Sequence, residues 1–220
     1  MAVALGTNSG FLETSPTADP YGTAISVDNV GIAVKDTSPA TAVKVTEIGW
    51  WCNNATEEAN FDVALYDHNT GSDKPGNVVG SIEADNAKGT DAGWKKVTGL
   101  NITINSSTIY WVGVQLDDTP TATQGDYTTV GSPARDSWEP QETALEDPWY
   151  PDSSQYANDT DAIYAVWEGG TPPSTAINIG DSWKTVSGAN VLQVNIGDTW
   201  KAVAGAQVNI ADTWKTIVLS

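Results

Sequence analysis

The chain has 220 residues, among them ten tryptophans and seven tyrosines, and a formal net charge of −18. That length holds one sizeable core, or one domain with an appendage, and that charge repels nucleic acid and anionic bilayers, so neither is expected as a partner. Cys52 is the only cysteine, which excludes an intrachain disulfide framework, and the longest apolar runs, Ile109 to Val112 and Ala162 to Trp167, are too short to span a membrane.

Taken in order, residues 1 to 23 hold one short apolar run and then a Ser/Thr/Pro/Gly stretch, predicting an extended arm or a first strand and its exit. Strands follow at Ile25–Val27 and Ile32–Val34. The run Val43 to Ile48 alternates and leads into Gly49-Trp50-Trp51-Cys52. Alternation sends Trp50 and Trp51 to opposite faces, leaving one of them exposed or covered by another part of the chain. Phe61, Val63 and Leu65 share one face of the next strand, and Tyr110, Val112, Val114 and Leu116 share a face of the strongest one. Regular short strands with turn signals between them predict a β-sandwich. Residues 117 to 161 break the pattern: they are rich in Asp, Gly and Pro and read as one long loop. Ala162 to Trp167 closes the sandwich, and residues 169–176 read as a Gly/Pro linker.

The last 44 residues repeat one phrase three times: Ile177-Asn178-Ile179-Gly180-Asp181-Ser182-Trp183-Lys184, Val194 to Lys201, and Val208 to Lys215. Each copy reads as a β-hairpin. A three-residue loop, Gly180-Asp181-Ser182 in the first copy, places Ile179 opposite Trp183 and makes one face apolar. A two-residue loop mixes the faces. The three-residue register is the expectation here. Isolated two-stranded hairpins are marginal in water, so the apolar residues Ile179, Trp183, Ile196, Trp200, Ile210 and Trp214 are the candidate assembly surface.

The phrase V-N-I-G-D-T-W-K resembles the short hairpin repeats at the ends of bacteriophage tail and fibre proteins. Upstream, Thr46-Glu47-Ile48-Gly49-Trp50, Phe61 to Tyr66, Lys74-Pro75-Gly76, Gly93-Trp94 and Tyr110 to Val114 stand in the order seen in jelly-roll domains of phage virion proteins and of carbohydrate-binding-like modules. The resemblance implies an all-β protein: a jelly-roll-like β-sandwich over residues 1–168 with the long loop at 117–161, then the linker, then a tail of three β-hairpin repeats over 177–220. It also implies a non-enzymatic structural component of a viral particle, as tail, fibre or head decoration. Its partners would be other copies of itself, other virion proteins and host surface glycan. The start of the chain lacks a basic n-region and an apolar core, so no signal peptide is expected, and the chain would be made in a host cytoplasm and act in the virion.

Chemistry-bearing residues are sparse. His68 is the only histidine, so any histidine-dependent triad must use it; its setting, His68-Asn69-Thr70-Gly71, reads as a polar turn. One histidine and one cysteine do not make a zinc site. The strand-end carboxylates Asp117, Asp118, Asp159 and Asp161 are weak calcium candidates, and no other cofactor is expected. The loop aromatics Trp138, Trp149, Tyr150 and Tyr156 are candidates for stacking on sugar rings, which makes a carbohydrate-binding module the alternative function. A glycan-cleaving enzyme comes third, because Glu139, Glu142, Glu146 and Asp147 supply carboxylates without a defining spacing.

Overall fold

A computed structural model describes residues 2–53, 60–87, 89–116, 124–129, 135–154 and 159–170, together with the backbone strands of the tail. The chain divides into two compact units, Met1–Gly170 and Thr171–Ser220. Every regular element described is a strand. In the first unit these are β1 (Gly10–Leu12), β2 (Thr23–Ser26), β3 (Val30–Thr37), β4 (Ala42–Cys52), β5 (Asn60–Asn69), β6 (Lys74–Val78) and β7 (Glu83–Ala87). They continue with β8 (Gly93–Thr103), β9 (Ile109–Leu116), β10 (Gln124–Thr129), β11 (Asp136–Pro140), β12 (Asp159–Asp161) and β13 (Ile163–Gly169).

These strands form a jelly-roll-like β-sandwich. One sheet runs β1-β13-β4-β8, the facing sheet runs β11-β3-β9-β5-β6 with β7 also on β5, and a small third sheet runs β12-β10-β2. The alternating positions meet in the core. Phe61, Val63 and Leu65 of β5 and Tyr110, Val112, Val114 and Leu116 of β9 pack with Val45, Ile48 and Trp50 of β4. On β4 the alternation is not continuous. Against β13, Glu47 pairs with Val166 and Val45 with Trp167, which leaves Thr46 as an extra residue, and Val45 and Ile48 both turn inward across it. A bulge adds one residue and resets the phase of a strand. Trp50 and Trp51 do face opposite ways. Trp50 lies in the main core, while Trp51 is covered by Val3 and Ala162 and meets Trp94 edge-on at 5.3 Å. The cover comes from the amino-terminal arm and from the strand neighbours of β4.

Residues 117–161 are not one irregular loop. They supply β10, β11 and β12 and, over 141–153, a strap across the outer face of β3, β9 and β5. Their strands were hidden in the sequence because they are polar. β11 reads Asp-Ser-Trp-Glu-Pro and pairs at the sheet edge with β3, where one face stays near water.

The second unit contains β14 (Thr175–Ile179), β15 (Ser182–Val186), β16 (Gln193–Ile196), β17 (Thr199–Ala202), β18 (Ala206–Ile210) and β19 (Thr213–Ile217). They pair as three hairpins, and among the described residues no hairpin shares a ladder with another. The register corrects the expected loop. Ile179 pairs directly with Ser182, Asn178 with Trp183 and Ile177 with Lys184, so two residues connect the strands rather than three. The other copies pair Asn195 with Trp200 and Asn209 with Trp214 in the same way. Two-residue loops beginning with Gly match the twist of paired strands, whereas three-residue loops favour Gly at their last position. That last position holds Ser or Thr here. Direct partners lie on one face of an antiparallel ladder. The six assembly candidates therefore do not share one apolar face: Ile179, Ile196 and Ile210 occupy one register face, and Trp183, Trp200 and Trp214 the other.

Candidate functional site

The outer face of the larger sheet is built for aromatic rings. Gly31, Ala33, Ala64 and Gly113 leave a shallow trough between strands. A Cβ on Gly31 would stand 2.5 Å from the Tyr150 ring, and one on Gly113 would stand 2.8 Å from the Tyr66 ring. Tyr66 and Trp111 rise from this floor, and the strap lays Leu145, Trp149 and Tyr150 over them. Trp149 meets Tyr66 edge-on at 5.0 Å and Tyr150 at 4.8 Å.

The polar ends of these rings are all used. Trp149 Nε1 donates to Ser137 Oγ at 3.1 Å, Tyr66 donates to the carbonyl of Glu146 at 2.9 Å, and Tyr150 donates to the carbonyl of Ala144. Burial pushes both tyrosine hydroxyls well above their ordinary range, and the neighbouring carboxylates add to the effect. Of the four candidate sugar-stacking aromatics, Trp149 and Tyr150 are only 3% exposed. They are local core, with no ring face open to a ligand. Trp138 is half-buried on β11 and packs toward the main core. Tyr156 lies outside the described residues. The excess of glycine and alanine on alternate strand positions was the signal that these rings pack inward.

Several carboxylates in this unit are engaged by backbone amides or by neighbouring side chains. Asp62 accepts from the amides of Asp85 and Leu145 at 3.0 and 3.2 Å, tying β7 and the strap to β5. Glu47 accepts from Tyr164 at 2.6 Å and from Ser15 at 2.5 Å, with Lys96 at 3.2 Å. Asp36 accepts from the amide of Phe11 at 2.9 Å, and burial raises its pKa. Glu142 is flanked electrostatically by Glu146 and Glu139, and partial desolvation followed by their charge raises its pKa.

His68 is not in a turn but near the end of β5. Its Nδ1 accepts from Trp111 Nε1 at 3.2 Å, and its Nε2 lies 3.6 Å from Asp73. Lys35 sits 5.2 Å from the Trp111 ring centre and pairs with Asp73 at 2.7 Å. The imidazole Nδ1 thus seats the Trp111 indole. Cys52 is fully buried.

The calcium candidates divide. Asp117 and Asp118 lie outside the described residues. Asp159 accepts from Thr129 Oγ1 at 2.8 Å, while Asp161 turns inward against Asp136. Among the described residues, no group of three or more His, Cys, Asp or Glu is arranged to hold a metal ion. Nor is any described helix long and apolar enough to cross a membrane.

One open groove of about 480 Å³ runs along the amino-terminal segment, lined by Thr7, Glu13, Thr14, Pro39 and Trp167. A smaller cavity between sheets is lined by Trp50, Trp51, Asp126 and Asp161. Compared with protein-family models, characterised proteins and solved structures, the chain matches none.

Proposed function

We propose that this chain is a non-enzymatic structural subunit of a bacteriophage particle, a tail, fibre or head-decoration protein that assembles through its carboxyl-terminal hairpins. The observation carrying this reading is the tail itself: three copies of one phrase, three hairpins in one register, and no ladder between them among the described residues. A two-stranded ribbon is marginal in water, and each of its strands has an edge able to accept another. Neighbouring chains would add strands to those edges and cover both register faces, Trp on one and Ile or Val on the other. This extends the expected assembly role from an apolar face to edges and two faces. The sandwich would stand toward solvent, its acidic surface keeping it apart from nucleic acid.

The test is a triple variant, Trp183→Ala, Trp200→Ala and Trp214→Ala, followed by light scattering over a dilution series. Assembly should weaken while the unfolding of the sandwich stays unchanged. Unaltered assembly in that variant removes the tryptophan faces from the interface.

A second reading is carbohydrate binding, and the groove favours it. A half-buried tryptophan beside one carboxylate and two hydroxyls is chemistry suited to a neutral sugar ring. Glycan-array binding by residues 1–170 that is lost in Trp167→Ala supports it; an array without signal removes it.

A further inference from the structure

The charge of this chain is confined to one of its two units. The only charged side chains of Thr171–Ser220 are Asp181, Asp198 and Asp212 and Lys184, Lys201 and Lys215, three of each sign. The tail is therefore neutral, and the whole formal charge of −18 belongs to residues 1–170. Each hairpin repeats the balance, with one Asp in the sequence between its strands and one Lys on its second strand.

The ladders sort these residues further. Lys184 pairs with Ile177, Lys201 with Val194 and Lys215 with Val208, so every Lys shares the register face of the aliphatic residues. Successive pairs alternate between faces. The other register face sets Asn opposite Trp in each copy, flanked by Ala, Gln or Thr, and it carries no charged residue.

Charge decides what can lie against such a ribbon. A neighbour's sandwich brings a large negative charge, and within each hairpin the one Lys that could meet it is offset by an Asp. A second tail brings no net charge and the same three phrases. The Asn side chain has both donors and acceptors, so two like faces can satisfy one another without an ion. The sandwiches oppose this association, because bodies of high like charge repel and stay monomeric. That repulsion reaches about 30 Å at 0.01 M salt and only about 8 Å at 0.15 M.

We propose, resting on the tail as the assembly element, that each tail binds the tail of another copy rather than an acidic sandwich, and that ionic strength governs the joining. Salt screens the sandwiches from each other and leaves the neutral tail contacts in place. Chains stay apart in dilute electrolyte and join as salt rises.

The experiment is sedimentation velocity on the full chain, as a dilution series from about 20 mM to about 500 mM NaCl. The apparent dissociation constant should fall by about tenfold or more across that range. A chain that assembles equally well at every salt, or less well as salt rises, overturns the inference and leaves hairpin assembly standing. A chain that is monomeric at every salt and concentration removes both. Two full-length variants separate the possible partners. Lys184→Gln, Lys201→Gln and Lys215→Gln together should still assemble at the highest salt; assembly abolished there means that the tail meets an acidic surface, and the inference is wrong. Asn178→Asp, Asn195→Asp and Asn209→Asp together place three like charges on the tryptophan face and should shift assembly to higher salt. An unchanged salt curve in that variant takes the charge-free face out of the contact and also overturns the inference.

Discussion

The sandwich and the tail solve the same problem by opposite means. Both are made of strands, and both carry tryptophan. In the sandwich, Trp111 is fully buried, with its Nε1 on His68 and Lys35 beside its ring, and Trp149 is closed under the strap with its Nε1 on Ser137. The chain supplies the whole environment of each ring. In the tail, strands of four or five residues pair two by two, and the described ladders go no further. The contrast teaches that strand content alone does not make a domain: a strand is stable where other strands take both its edges and a layer covers its face. The central strands of Met1–Gly170 meet that condition within one chain, and the hairpins would meet it through other chains in the reading proposed above.

The strongest way to break the comparison is to separate the halves. A chain ending at Gly170 should keep the cooperative unfolding of the sandwich and lose self-association altogether, as read by calorimetry and light scattering. Next in size, Trp149→Ala should destabilise the sandwich by about 3–5 kcal/mol, the usual cost of emptying a buried aromatic site, seen as a lower denaturation midpoint with no change in oligomer mass. Gly31→Ala should cost roughly 1–3 kcal/mol, because the new methyl meets the Tyr150 ring and overpacked cores must shift. Acidic conditions should stabilise the sandwich. Asp36, Asp126 and Asp161 all have raised folded pKa values, led by burial, so stability falls as pH climbs above the ordinary carboxylate range. A pH series of Tm measurements on the chain ending at Gly170 checks this without the tail. Smallest, Ser137→Ala removes the acceptor for Trp149 Nε1 and should cost about 1 kcal/mol.

Much of the sandwich was legible because its central strands obey one rule. β5 and β9 have layers on both sides, yet Val63, Leu65, Val112, Val114 and Leu116 all fall on the inner face, and that periodicity survives in the sequence. The bulge at Thr46 was not legible, since an extra residue leaves no mark of its own in a run of valines and isoleucines. β10, β11 and β12 escaped notice because short strands with polar residues look like loops. The aromatics of the strap then looked like a ligand platform, whereas the small residues at Gly31 and Gly113 are what show the rings lying inward. In the tail, the repeats and hairpins were legible from the phrase itself. The loop length was not: an appealing segregation of faces favoured three residues, while the chemistry of Gly180-Asp181 favoured two.

The most direct test of the central claim is the molar mass of the purified chain by size-exclusion light scattering, with and without residues 171 to 220. The account predicts a multiple of 23.2 kDa for the full chain and a single folded subunit for the shortened one. A full chain that stays monomeric across the concentration range contradicts it.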